Sequence, residues 1–277
     1  MRKLATILFA ALALCASTNA KPLTQGELSY INSILEFRLS LRTLPSAKDV
    51  RQKIRAFKDS PPDAAEIGDE CAIIAESMIS TAEYNCEYEE DEKSPALEGI
   101  LRPTFDKIIA YKSRHDTKEF SALFTAATTE VINSMMQFLP RTDVISIALK
   151  EKKEYDAAIE KEPDCSQVLM NAAFWYYFAP AFAGGSAEKA GNFFESAQEN
   201  AKNDYERYYA AIYASQFFFE QKDAAACASY MAQAERVLPG TRHVSFIRTL
   251  NERGFSLFDY NDSRKRAKVK KALSKAH

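Results

Sequence analysis

The chain has 277 residues, 47% hydrophobic and 27% charged, with 36 Lys and Arg against 38 Asp and Glu for a formal net charge of −2. That is enough apolar material for a substantial core, in one large domain or two small ones. The near balance of interspersed charges excludes the body-wide basic footprint of a nucleic-acid binder, so no nucleic-acid partner is expected.

Arg2 and Lys3 open the chain, then an apolar run extends from Leu4 to Leu14, and small residues occupy the stretch from Ala16 to Ala20. This order predicts a secretory signal peptide over residues 1–20, cleaved before Lys21, and a periplasmic or other extracytoplasmic location. The run is about half the length of a membrane-crossing helix. Leu12-Ala13-Leu14-Cys15 supports a second reading, a bacterial lipoprotein signal in which Cys15 is lipidated and tethers the protein to a membrane, although Leu14 stands where a small residue is usual.

Beyond the leader, eight glycines and the lack of Asn-Gly or Asp-Gly between alternating apolar runs argue against strands. Apolar residues instead recur at three- and four-residue spacings, which predicts helices. Leu28, Ile31, Ile34, Leu35 and Leu39 form the first stripe, ending before Pro45, and a shorter helix runs from about Asp49 to Lys58. Pro61-Pro62-Asp63 stops it, with Asp63 as N-cap of a helix from Ala64 to Tyr88. The acidic run Glu87 to Glu92, with Ser94-Pro95 after it, reads as a solvated loop and divides an N-terminal helical region, 21–95, from the remainder of the chain. Further helices are expected over 103–111, 118–139, 142–161, 166–182, 186–201, 204–220, 223–238 and 243–258. Their short connections imply antiparallel packing of neighbours. Residues 263–277 form a basic tail with no acidic residue after Asp262, expected to be solvated.

Cys71, Cys86, Cys165 and Cys227 remain once the leader is removed. Their pairing is open, except that one helix containing both Cys71 and Cys86 holds them roughly 22 Å apart, too far for a disulfide. No two cysteines stand in CxxC spacing, and His115, His243 and His277 are scattered, so no metal site is expected. The Glu87–Glu92 run lacks the order of a calcium loop. There is no HExxH, GxSxG, P-loop or dinucleotide fingerprint, so no cofactor, catalytic residue or enzyme activity is expected.

Within 96–262 a pattern repeats. Ala190, Phe194 and Ala197 place a small residue, a large one and an alanine on one helix face; Cys227, Met231 and Ala234 do the same, closed by Pro239; Tyr155 and Ala158 with Pro163 give a looser instance. The three alanines are 39 and 37 residues apart, near the period of about 34 of a tetratricopeptide repeat (TPR) array. Small residues at a crossing let two helices approach closely while larger ones fill the space between pairs. On these positions the chain resembles the TPR superfamily. The resemblance implies an all-α fold of antiparallel helix pairs stacked as a TPR-like α-solenoid.

The segment from Phe182 to Ala190, with Gly184-Gly185 and Lys189-Ala190, is similar to a segment of the TatT family. Those are exported TPR-like proteins of periplasmic TRAP-type solute transporters. The resemblance implies a lipid-anchored accessory protein that forms homotrimers and docks the transporter's substrate-binding protein. Gly184-Gly185 itself reads as a tight helix–helix turn with a left-handed glycine, and Ser186 as the cap of the next helix.

Placing the first helix of each repeat by its offset from Ala197 and Ala234 puts Trp175, Tyr209, Ile212, Gln216 and Phe219 on the concave face. Such an aromatic groove suits a partner segment or, as the alternative function, a small apolar ligand carried in the periplasm.

Overall fold

The computed structural model describes residues 22–60 and 67–275. The expected signal peptide, Cys15 and the Asp63 cap lie outside the described residues. Among those residues there are thirteen α-helices and no strand: α1 Gln25–Ser40, α2 Ala47–Asp59, α3 Asp69–Glu90, α4 Ala96–Lys112, α5 Ala122–Met135, α6 Arg141–Lys161, α7 Ser166–Phe178, α8 Ala187–Glu199, α9 Asp204–Glu220, α10 Ala224–Val237, α11 Arg242–Glu252, α12 Leu257–Asn261 and α13 Ser263–Ser274. Neighbouring helices pack in pairs, α7 on α8 and α9 on α10 most extensively, with α8 against α9 joining the pairs into a solenoid-like all-α stack.

Local chemistry sets the helix starts. Thr24 and Glu27 form a capping box at α1, the Glu27 N–H donating to Thr24 Oγ1 at 3.2 Å and the Thr24 N–H to the Glu27 carboxylate at 2.8 Å. The same carboxylate accepts from the Gly68 N–H at 2.8 Å, fixing the start of α3 against α1. Ser121 caps α5 and Ser186 caps α8, as Asp223 does α10.

The repeat positions fill the interior except Cys227, which is partly exposed. Ala190, Phe194, Ala197 and Ala234 have no exposed surface, and Met231, Tyr155 and Ala158 are buried with them. Gly191 lets α8 approach α9: an added Cβ would stand 3.0 Å from the Phe217 ring. α3 packs against α1, α2, α4 and α5 as the centre of the N-terminal half. One buried cluster runs from Ile31 through Ile74, Leu101 and Met135 to Tyr208 and Val269, so the core crosses both the 95/96 and the 262/263 divisions.

Several elements differ from expectation. α4 begins at Ala96, with Pro103 inside it; Pro103 and Gly99 are both exposed, so the carbonyl left without its N–H donor meets water. α5 is shorter than 118–139 because 3-10 turns at Thr117–Glu119 and Met136–Phe138 flank it. Pro180 ends the α7 segment, and Gly254, at φ 78°, terminates α11 before α12. The acidic run is no solvated loop: α3 continues to Glu90, and its carboxylates pair with cations of other elements, Glu87 and Glu90 with Arg51, Glu89 with Arg42, Glu92 with Arg266 and Lys270. Nor are residues 263–275 a solvated tail. They fold as α13, whose Val269 is fully buried.

All four described cysteines are free thiols. Cys71 and Cys86 share α3, which keeps them apart. Burial pushes the Cys71 and Cys86 thiols up to about 11 and that of Cys165 up to about 12.

Candidate binding surface

Three of the five groove positions lie in the interior. Ile212 and Gln216 have no exposed surface and Tyr209 is 8% exposed, whereas Trp175 and Phe219 are half-buried. Their burial has a physical cause: the chain covers its own inner face. α1 packs on α9, and the 3-10 turn Leu41–Thr43 packs on α11. Arg38 lies over the Tyr205 ring, 5.1 Å from its centroid, and pairs with Glu130 at 2.7 Å. Arg42 donates from Nε to the Tyr209 hydroxyl at 2.7 Å. Burial opposes the charge on both guanidinium groups, but Glu130 beside Arg38 and Tyr209 and Glu89 beside Arg42 more than offset it, raising both pKa values. Gln216 accepts from the Leu257 N–H at 2.8 Å and exchanges hydrogen bonds with Asn251. Its amide is a structural clamp between α9, α11 and α12.

The accessible apolar surface is elsewhere. Five large hydrophobic residues are exposed among the described residues, and four of them belong to one stretch of the fold: Ile145 and Leu149 to α6, Phe178 to the end of α7 and Phe182 to the 3-10 turn Ala181–Ala183 beyond it. Phe182 is 94% exposed and Ile145 67%. Lys152 Nζ stands 5.2 Å from the centroid of the Tyr176 ring, and residues 152 and 176 are symmetrically placed about the short connection 162–165. α6 and α7 therefore run antiparallel. In that antiparallel arrangement Ile145 and Leu149, which precede Lys152, and Phe178 and Phe182, which follow Tyr176, lie towards the same end of the helix pair. Ile145, Leu149 and Lys152 share one face of α6, being four and then three residues apart.

At the same level α7 and α8 form a cleft of about 330 Å³ lined by Tyr176, Lys189, Asn192, Phe193 and Ser196. Tyr176 stacks on Phe193 with centroids 5.3 Å apart, and Lys189 Nζ stands 5.3 Å from the Tyr176 centroid. Two lysines thus flank one tyrosine. Burial works against the Lys152 charge, but its hydrogen bond to Asp156 wins and raises its pKa. The Trp175 indole N–H, one residue away, is buried without a hydrogen-bond acceptor. The 178–186 turn is built rigidly: Gly184 takes the left-handed conformation at φ 91°, a Cβ on Gly185 would fall 1.8 Å from the Ala179 carbonyl oxygen, and the Ser186 N–H donates to the Tyr176 carbonyl at 2.8 Å.

Chemically, this edge offers apolar side chains for burial beside an aromatic floor flanked by Lys189 and by Lys152, the latter already paired with Asp156, which suits a partner segment carrying hydrophobic side chains and a carboxylate for Lys189. Of the predicted groove, only Trp175 adjoins it. A run in which Ile145, Leu149 and Phe182 keep helical or turn spacing reads as core in sequence, and only the structure shows these side chains exposed among the described residues.

The histidines and acids form no metal site among the described residues, and no described helix is long and apolar enough to cross a membrane. His243 accepts or donates to the Tyr208 hydroxyl at 2.8 Å, and burial with the neighbouring Arg42 charge holds its pKa well below the usual histidine value. The chain matches no protein-family model and has no significant match among curated proteins.

Proposed function

We propose that this protein is an exported helical-repeat docking module whose binding surface is the edge formed by α6, the end of α7 and the 178–186 turn. The observation that carries this reading is the concentration on that edge of four of the five large hydrophobics exposed among the described residues, the fifth being Ile109 on α4. Its specific role is that of an accessory component of a TRAP-type solute transporter, docking the periplasmic substrate-binding protein. The support for that role is the similarity of the Phe182–Ala190 segment to the TatT family, and the same segment supplies the most exposed ring of the edge. The carrier alternative needs an open inner groove at Tyr209, Ile212 and Gln216, and those side chains are buried.

The test is affinity capture from the native envelope extract with the wild-type protein and with the Phe178→Ser, Phe182→Ser double variant, read by mass spectrometry. Burying two phenylalanines contributes roughly 3–6 kcal/mol, so the variant should lose the partner by a hundredfold or more while its circular dichroism is unchanged. Retention of a substrate-binding protein by the wild type alone supports the reading. Equal retention by both proteins would remove the edge from the interface, and retention of nothing would remove stable docking.

A further inference from the structure

The last helix concentrates positive charge. Seven of the 36 Lys and Arg residues lie between 264 and 275, where none of the 38 Asp and Glu residues occurs, leaving 29 cations against 38 anions in the rest of the chain. The helix is also fixed in rotation by its inner face. Arg266 is 2% exposed, with its guanidinium 4.5 Å from the centroids of both Tyr88 and Tyr260 and its Nε 2.9 Å from a Glu92 carboxylate oxygen. Val269 is fully buried, and Leu273 lies one turn further along the same face, partly buried against the core.

At 3.6 residues per turn, Arg264, Lys268, Lys271 and Lys275 then fall in a line on the opposite face, along about 16 Å of helix. All four are exposed. The neighbouring acids are taken up by other cations: Asp262 pairs with Arg264 at the start of this line at 2.9 Å, and on the flanks Asp259 pairs with Lys265 at 2.6 Å and Glu92 with Lys270 at 3.0 Å. Lys268, Lys271 and Lys275 have no acidic partner among the described residues; Lys268 Nζ stands 5.8 Å from the Phe255 centroid.

We propose that α13 is a docking surface for an anionic phospholipid bilayer. Headgroup phosphates are laterally mobile and meet point charges wherever these fall, whereas an acidic protein must present carboxylates in register. The three unpaired cations are all lysines, the compact, strongly hydrated charge suited to the first case, while of the two arginines, whose planar fork suits the second, Arg266 is turned inward and Arg264 spends its fork on the Asp262 carboxylate. The excess of anions in the rest of the chain is repelled by the same bilayer, which restricts contact to this face and orients the molecule. The surface is independent of the α6–α7 edge.

Co-sedimentation of the full chain with vesicles of phosphatidylcholine alone or mixed with phosphatidylglycerol tests the proposal, at low and high salt. The protein should bind the anionic vesicles and release them at high salt. Replacing Lys268, Lys271 and Lys275 together by Gln should weaken binding about a hundredfold, at roughly fivefold per lysine. The corresponding triple Arg variant should retain binding, and an unchanged melting temperature in both verifies their fold. Equal binding to neutral and anionic vesicles, as an apolar leader or acyl chain would give, overturns the proposal. So does undiminished binding by the Gln variant, or a preference for a polyglutamate peptide over the anionic vesicles, which reassigns the helix to an acidic protein partner.

Discussion

Replacing Glu151 by Gln should stabilise the protein, and by an amount that grows with pH. Glu151 lies on α6, 3% exposed, with Oε1 lacking a hydrogen-bond partner. The nearby buried ammonium, Lys112, is committed to an ion pair with Glu154. Burial, reinforced by Glu154 and only partly offset by Lys112, pushes the Glu151 pKa up from 4.5 to about 8. In the unfolded chain the carboxyl ionises near 4.5, whereas the folded state keeps the proton to about 8. The native state therefore binds more protons across that window, and stability falls as pH rises through it and is flat on either side. From 4.5 to pH 7, at about 1.4 kcal/mol per pH unit, the loss is roughly 3 kcal/mol. Gln has the shape of the protonated carboxyl and cannot ionise. Glu151→Gln should raise the melting temperature at pH 7 by about 6–12 °C and at pH 5 by no more than about 3 °C. Thermal unfolding tracked by far-ultraviolet circular dichroism across pH 5 to 8 measures this. A gain independent of pH, or a loss at pH 7, would refute the reasoning.

Tyr209→Ala should lower stability by roughly 3–5 kcal/mol, visible as a fall in urea midpoint, because the ring is interior and Arg42 Nε loses its acceptor. Phe182→Ser, at a ring 94% exposed, should leave the same midpoint within about 0.5 kcal/mol. Gly185→Ala should cost far more than Gly184→Ala, which loses about 1 kcal/mol to the left-handed backbone, since the added methyl meets the Ala179 carbonyl; comparative thermal melts check the order. Alkylation of the native protein at neutral pH should label Cys227 ahead of Cys71, Cys86 and Cys165, because it alone of the four is not buried; peptide mass mapping reads the order.

The helix-pair architecture was legible because packing leaves periodic traces. Ala190, Phe194 and Ala197 read as a crossing and are fully buried, Ser186 read as a cap and is one, and Gly184-Gly185 read as a turn with a left-handed glycine, which the structure identifies as Gly184. The partners of each face were not legible. Tyr209 and Ile212 have the spacing of an inner face, but spacing does not reveal that α1 lies on it or that Arg38, a charged residue on a helix, is only 8% exposed there. The same blindness runs the other way at Ile145 and Leu149, apolar residues at helical spacing that remain exposed. Glu87–Glu92 and Arg264–Lys275 each read as solvated charge when taken alone. They are far apart in sequence, and composition cannot show that Glu92 and Arg266 neutralise each other against Tyr88.

That last contact joins the final helix to the third, while α1 lies on α9. An open solenoid touches only nearest neighbours, so it can fray from either end and tolerates loss of a terminal repeat. Here the two ends are stitched to each other's halves, and truncation at Asp262 would strip Arg266 from Tyr88 and uncover the top of α3 some 170 residues upstream. The array should accordingly melt in one step rather than repeat by repeat, because contacts far apart in sequence, Arg266 on Tyr88 and α1 on α9, tie its described halves together.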